Sequence, residues 1–261
     1  MKDNKPRPDI SKAHLIKDLT ALGVTAGDTL MVHSSLSSIG YVEGGPDTVI
    51  DALLEVLTSS GTLMFPSFQG GGEFDLLQKG CVFDLKTSPS EHGLLTETFR
   101  LRAGVLRSAS PTHSVAAIGK NAAAILADHD KCTVSTGRGS PFEKLVRHKA
   151  KILLLGVTHA SNTMLHYLEN TNGAPTVCMQ LFRPIVINLQ GQARVVPSYP
   201  HMPGLRRRYE RVEDELLAEG TQRNGLIGQA LSRLVDAARM AKSIGEKIKN
   251  DPLYLIEVFT P

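Results

Sequence analysis

Apolar positions in this chain recur with two periods. Leu15, Ile16, Leu19 and Leu22 fall at three- and four-residue intervals, the spacing of one helix face, behind Ser11 as N-cap and ahead of Gly23 as stop. Thr29-Leu30-Met31-Val32-His33 lacks that period and reads as a buried strand that empties into the hydroxyl-rich loop from Ser34 to Gly40. After Gly44-Gly45-Pro46, the positions Val49, Ile50, Leu53, Leu54 and Leu57 mark an amphipathic helix, with Pro46 in its first turn and Gly61 as its end. Thr62-Leu63-Met64-Phe65, closed by Pro66, is the next short strand. Strand, helix, strand in that order predicts a parallel pair joined by a crossover.

The pattern then loosens. Residues 69–93, around Gly70-Gly71-Gly72, read as a long surface loop, and a loop of that length in a compact domain is more often functional than idle. Gly93 to Arg102 reads as a helix, Val115 to Gly119 as a small-residue strand and Asn121 to Ala127 as a short helix. Ser140-Pro141 opens another helix with N-cap and first-turn residues in place. Ile152-Leu153-Leu154-Leu155 is an apolar run that breaks at Gly156, and a helical segment with His166 and Glu169 follows a polar loop. Beyond Glu169, Val177 to Leu181 and Pro184 to Leu189 read as strands, with a hairpin turn at Gln190-Gly191-Gln192-Ala193 and a return along Arg194-Val195-Val196. Antiparallel pairing there gives a mixed sheet. Leu205 to Glu219 reads as a charged helix. Asn224 to Ala241 reads as a second, with Ile227, Ala230, Leu231, Leu234 and Val235 on one face. The expected fold class is α/β: a mixed central sheet with helices on both faces and antiparallel strands in the C-terminal part. One domain over residues 1–261 is the economical reading, with a subdomain from about residue 175 as the alternative.

Composition narrows the function classes. Hydrophobic residues at 41% and charged residues at 21% are those of an ordinary globular enzyme. A net charge of +3 gives no nucleic-acid footprint. Cys81, Cys132 and Cys178 are far apart with no C-x-x-C, which argues against a disulfide framework and a zinc site and fits a reducing compartment. The first residues carry no apolar signal region, and no apolar run approaches the roughly 20 residues of a membrane span. A cytoplasmic protein with no membrane or nucleic-acid partner is expected, either a monomer or a homodimer.

Four blocks at strand ends carry candidate chemistry. His33-Ser34-Ser35-Leu36-Ser37-Ser38 packs hydroxyls and backbone N–H groups into a turn, which is either an anion-binding site or a serine-rich turn. Ser110-Pro111-Thr112-His113-Ser114 sets hydroxyls around a histidine, or satisfies its own strand entry. Gly137-Arg138-Gly139-Ser140-Pro141 is a flexible loop delivering an N-cap. In the segment from Gly156 to Glu169, His166 and Glu169 share one helical face. His166 is either a proton acceptor working near neutral pH or a hydrogen-bonded core histidine with a solvated neighbour. A serine hydrolase is disfavoured because no Gly-x-Ser-x-Gly elbow occurs.

Read together, several segments resemble the aminoglycoside 3-N-acetyltransferase family. They are Val32 to Gly40, Gly44 to Asp47, Gly61 to Leu63, Ser114 to Gly119, Gly139 to Pro141, Leu153 to Val157 and Asn162 to Glu169, with Ile227-Gly228-Gln229-Ala230 similar to the start of the family's C-terminal helix. The likeness runs from about residue 12 to 256. It implies an α/β enzyme that transfers acetyl from acetyl-CoA directly to a primary amine of an aminoglycoside-like or other small molecule, without a metal. It implies His166 as general base and Glu169 beside it in the active-site region. It implies His33, Ser34, Ser35, Ser37, Thr112, His113 and Ser114 as coenzyme A contacts, and Glu169 and His201 as substrate contacts. A coenzyme A-binding homologue without catalysis, or an acyltransferase for a non-aminoglycoside amine, is the alternative.

One stretch departs from the family pattern. Tyr199-Pro200-His201-Met202-Pro203-Gly204 stands where resistance members carry acids, and Arg206-Arg207-Arg208 follows. This leaves Glu169 as the carboxylate expected beside His166. Any of the three arginines that faces the pocket favours a less cationic substrate, because like charges oppose binding.

Overall fold

The computed structural model describes residues 9–257. In chain order the helices are α1 (Lys12–Leu22), α2 (Gly45–Leu57), α3 (Glu73–Gln78), α4 (Leu94–Arg100), α5 (Ala122–Leu126), α6 (Pro141–Arg147), α7 (Met164–Asn172), α8 (Glu213–Ala218) and α9 (Ala237–Asn250). The strands are β1 (Thr29–Ser34), β2 (Thr62–Pro66), β3 (Val82–Asp84), β4 (Leu106–Arg107), β5 (Val115–Gly119), β6 (Lys151–Leu155), β7 (Ile185–Ile187), β8 (Ala193–Val195), β9 (Gln222–Ile227) and β10 (Ala230–Asp236). Seven strands form a mixed sheet in the order β4-β5-β2-β1-β6-β10-β9, and β3-β7-β8 form a smaller one.

The centre of the large sheet follows from the apolar runs. β1 pairs in parallel with both β2 and β6, so its residues are covered on two faces. Alternate side chains then feed two cores. Leu30, Val32, Leu63, Phe65, Leu153 and Leu155 pack with Leu15, Leu19, Ile50, Leu53 and Phe99 from α1, α2 and α4. Met31, Met64, Ile152 and Leu154 pack with Ile125, Phe142, Leu165, Met240 and Ile244 from α5, α6, α7 and α9. Helices therefore cover both faces, as the expected fold class requires. The start of α1 follows its sequence signal: Ser11 Oγ accepts from the His14 N–H, and Gly23 closes the helix with φ 109°. Among the described residues, no helix is long and apolar enough to cross a membrane.

Several expectations need correction. The segment from Asn224 to Ala241 is not one helix: it is the β9–β10 hairpin followed by α9. β10 lies between β6 and β9 and is buried along most of its length, so its apolar run imitates a helix face. Gly228 sits in the hairpin turn at φ 58°, where a Cβ would meet the Ile39 carbonyl at 2.6 Å, so Ile227 to Ala230 is a turn and not a helix start. From Leu205 to Glu219 only α8 is α-helical, behind a 3-10 turn over Tyr209–Val212. Arg208 N–H donates to the Leu255 carbonyl and Arg207 bridges Ile256, which holds the three arginines outside any helix. Val177 to Leu181 forms no strand. Val177 makes a single bridge to His201, and the hairpin of β7 and β8 joins the small sheet instead of the central one. The antiparallel strands of the mixed sheet are β4 and β5 at one side and β10 and β9 at the other. The helix α2 ends at Leu57, ahead of Gly61, with Thr58 at φ 59°.

Residues 69–93 contain α3 and β3 and are not loop throughout. Arg107 ties this excursion to the sheet. Its guanidinium donates to the carbonyls of Ser67, Leu85, Ser88 and Pro89 and lies 4.3 Å from the centroid of the Phe83 ring.

Candidate active site

A cleft of about 350 Å³ opens beyond the carboxyl ends of β1, β2 and β6. This is the position where parallel strands of an open sheet leave room for ligands. His33 and Ser34 close β1, opposite Leu154 and Leu155 of β6. At the end of β6, Gly156 turns away at φ 67°, where a Cβ would fall 1.8 Å from Ser38 Oγ. The cleft is lined by His33, Ser34, Pro66, Phe68, His92, His113, Ala160, Ser161, Thr163 and His166, with no carboxylate among them.

His166 enters from the first turn of α7, and Glu169 lies one turn on, on the same face. The helix forms behind the Asn162 side chain, which accepts from the Met164 N–H. Glu169 is fully buried. Its Oε2 lies 3.3 Å from His166 Nδ1 and accepts from the Tyr209 hydroxyl at 2.8 Å. That hydroxyl is also 3.0 Å from His166 Nδ1. Because Tyr209 spends its proton on Glu169, His166 Nδ1–H is the donor on this side, which leaves the Nε2 lone pair as the other face of the ring. Burial holds the His166 imidazole well below its usual range, reinforced by His201, His113 and Arg207, so the ring is neutral at neutral pH. Burial raises the Glu169 carboxyl, opposed by Arg207 and Tyr209. Of the three arginines, Arg207 alone turns toward this carboxylate, with its Nε 3.7 Å from Glu169 Oε2, whereas Arg206 and Arg208 are exposed.

A second carboxylate stands across from it. Glu73, in the first turn of α3, is missing from the residues that sequence reasoning singled out. Its Oε1 accepts from the hydroxyls of Thr112 at 2.6 Å and Ser135 at 2.8 Å. Its Oε2 accepts from the His201 backbone N–H at 2.8 Å and lies 2.6 Å from His201 Nδ1. His113 Nδ1 is 3.4 Å from Oε1. Burial works to raise this carboxyl, but the facing imidazoles of His113 and His201 outweigh it and hold Glu73 well below the usual carboxylate range. The rings of His166 and His201 are 4.3 Å apart between centroids, and those of His166 and His113 are 6.2 Å apart.

The expected site residues divide into groups. His166 and Glu169 come together, with Tyr209 as an unforeseen third member. His33, Ser34 and His113 line the cleft. The Ser35 and Ser37 hydroxyls are not among the lining residues and lie 3.3 Å from each other. Ser114 donates to the Ser108 carbonyl and Thr112 donates to Glu73, so both hydroxyls are engaged within the protein. His201 has both ring nitrogens engaged, one by Glu73 and the other by Asn170 at 3.0 Å, and it is not among the lining residues. Burial drives His33 down to about 3 and His92 down to about 4, and the Nε2 of each lacks a hydrogen-bond partner among the described residues. Glu73, His113 and His201 also bring possible metal-ligating atoms within 4.8 Å of one another. The hydrogen bonds just described engage Glu73 and His201.

Comparison with known proteins places the chain. The family model described as aminoglycoside 3-N-acetyltransferase matches residues 31–248. Aminoglycoside N(3)-acetyltransferase VII of Streptomyces paromomycinus is 31% identical over 253 residues, covering 87% of this chain and 88% of that protein. The structure of AAC-IIIb in binary complex with CoASH superposes with a TM-score of 0.82 at 30% identity, covering 97% of this chain and 100% of the other. Aminoglycoside acetyltransferase AAC(3)-IVa, solved as a mutant in complex with a gentamicin, gives a TM-score of 0.83 at 29% identity, covering 96% and 93%. By family model, sequence identity and fold together, the chain belongs to the aminoglycoside 3-N-acetyltransferase family.

Proposed function

We propose that the chain is an acetyl-CoA-dependent N-acetyltransferase that acylates a primary amine of a small molecule by direct transfer, as one cytoplasmic domain over residues 1–261. Support for a single domain comes from the sheet, which joins β1 to β10 and β9. The observation that carries the function is the neutral His166 in the cleft, with its Nδ1 side held by Tyr209 and Glu169. An ammonium group is no nucleophile until it loses a proton, and a neutral imidazole facing it can take that proton, worth typically ~10²–10⁴-fold in rate. Glu169 and Tyr209 keep the proton-accepting nitrogen on the cleft side. Bound acetyl-CoA supplies a thioester already activated toward attack. Ser34, Ser35 and Ser37, with His33 behind them, are the groups at the end of β1 suited to hold it, and AAC-IIIb binds CoASH on a similar fold. His113 lines the cleft as well, with Thr112 and Ser114 engaged behind it.

A second observation bears on the acceptor. The lining contains no carboxylate, Glu169 is ion-paired to Arg207, and Glu73 is saturated by donors. A polycation gains nothing from such a surface. We therefore assign the acceptor as an amine less cationic than the polycationic aminoglycosides. The test is thiol release from acetyl-CoA with gentamicin and with the single-amine sugar glucosamine. Efficient gentamicin acetylation would refute the acceptor assignment. Coenzyme A binding without transfer to any amine would refute the enzyme reading and leave a binding homologue.

A further inference from the structure

His113 presents a second acceptor to the cleft, and its tautomer follows from the hydrogen bonds around Glu73. A carboxylate only accepts, so Thr112 and Ser135 both direct their hydroxyl protons at Glu73 Oε1. His113 Nδ1 lies 2.8 Å from Ser135 Oγ, 3.3 Å from Thr112 Oγ1 and 3.4 Å from Glu73 Oε1. With the hydroxyl protons spent, all three neighbours are acceptors. In its neutral form the ring must therefore carry its proton on Nδ1, which leaves a lone pair on Nε2. His166 has the same tautomer for the parallel reason, and both rings line the same cleft.

We propose that His113 and His166 together grip the two N–H bonds of the attacking primary amine, and that Glu73 is the positioning residue that fixes His113 for this task. The inference rests on the acetyltransferase reading above. An amine nitrogen about 2.9 Å from each Nε2 would see the two rings, 6.2 Å apart between centroids, at roughly the tetrahedral angle. With both N–H bonds turned to the imidazoles, the nitrogen lone pair is left to face the thioester carbon. The C–N bond forms as the C–S bond breaks. The ammonium proton that His166 takes first passes on to solvent, which leaves RNH2 between the two rings; as the C–N bond forms, one of its two remaining protons passes to His166 Nε2 and on to the departing sulfur, while His113 keeps a hydrogen bond and exchanges no proton. A secondary amine has one N–H bond and forfeits one of the two contacts. The two contacts thereby favour primary over secondary amines.

Nitrogen-15 spectra of histidine-labelled full-length protein read the tautomers directly. The wild type should show His113 with Nδ1 protonated and Nε2 bare. Finding the proton on Nε2 would overturn the proposal whatever the kinetics show. Glu73→Gln frees the Thr112 and Ser135 protons to face Nδ1, so the His113 proton should move to Nε2. With glucosamine as acceptor, kcat should then fall about a hundredfold while KM for acetyl-CoA holds. Unchanged kcat, or a rise in acetyl-CoA KM with kcat kept, would overturn the assignment, the latter by making His113 a coenzyme A contact. His113→Phe should erase the preference for glucosamine over its N-methyl derivative, and a preserved preference would also overturn it. Wild-type transfer to neither probe amine defeats the underlying reading, and this proposal with it.

Discussion

Lowering the pH from 7.5 to 5 should strip about 4 kcal/mol of folding stability through two buried imidazoles, His33 and His129, in addition to losses of the same sign from His92, His159 and His166, which burial also holds down. His129 is fully enclosed, 2.8 Å from Ser108 Oγ and donating from Nε2 to the Ser135 carbonyl at 2.7 Å. Burial holds His33 and His129 each down to about 3, against 6.5 for an unconstrained ring. Between those values the unfolded chain binds a proton that the folded chain refuses, so stability falls as pH falls through that window. At pH 5 the unfolded ring is almost fully protonated, and each site loses about 2 kcal/mol. Together that is a large part of a typical total of ~5–15 kcal/mol. Glu169 works the other way, since its raised carboxyl favours the folded state at lower pH, and Glu73 begins to lose its contribution as pH falls into the ordinary carboxylate range and goes on losing it below that range. Urea unfolding followed by circular dichroism at the two pH values measures the effect. His129→Gln can make the same two hydrogen bonds without titrating, so it should recover about 2 kcal/mol of the acid loss. A wild type whose stability changes by less than about 1 kcal/mol, or a His129→Gln variant with an undiminished acid loss, would refute the reasoning.

Other perturbations probe separate parts of the account. Arg107→Met strands the carbonyls of Ser67 and Ser88 and should cost about 3 kcal/mol, read by thermal melting, with faster proteolysis within residues 67–93. Gly228→Ala forces a Cβ against the Ile39 carbonyl at positive φ and should destabilise by about 2 kcal/mol or more, whereas an unchanged melting temperature would contradict the hairpin turn. Tyr209→Phe removes the hydroxyl shared by Glu169 and His166, so kcat should fall about tenfold or more with little change in acetyl-CoA KM.

Legibility in the sequence followed locality. β1, β2 and β6 were readable because strands covered on both faces are continuous apolar runs bounded by glycine or proline. The same property hid β10, whose buried run matched a helix face until pairing with β6 and β9 settled it. His166 and Glu169 were readable because a helix brings positions three apart together. Glu73 was not, because its partners lie 39, 62 and 128 residues away and the glycines before it suggested only a loop. Tyr209 lies 40 residues from Glu169, and its role depends on a 3-10 turn that the charged pattern gave as helix. Arg207 could be separated from its two neighbours only once the fold had set its guanidinium beside Glu169.

The central claim is that His166 is the neutral base of an acetyl transfer. His166→Ala assayed for thiol release from acetyl-CoA with a primary amine, beside calorimetry of coenzyme A binding, tests it most directly. Turnover reduced at least about a hundredfold with coenzyme A affinity retained is the predicted result. Near-normal turnover in the variant would contradict it.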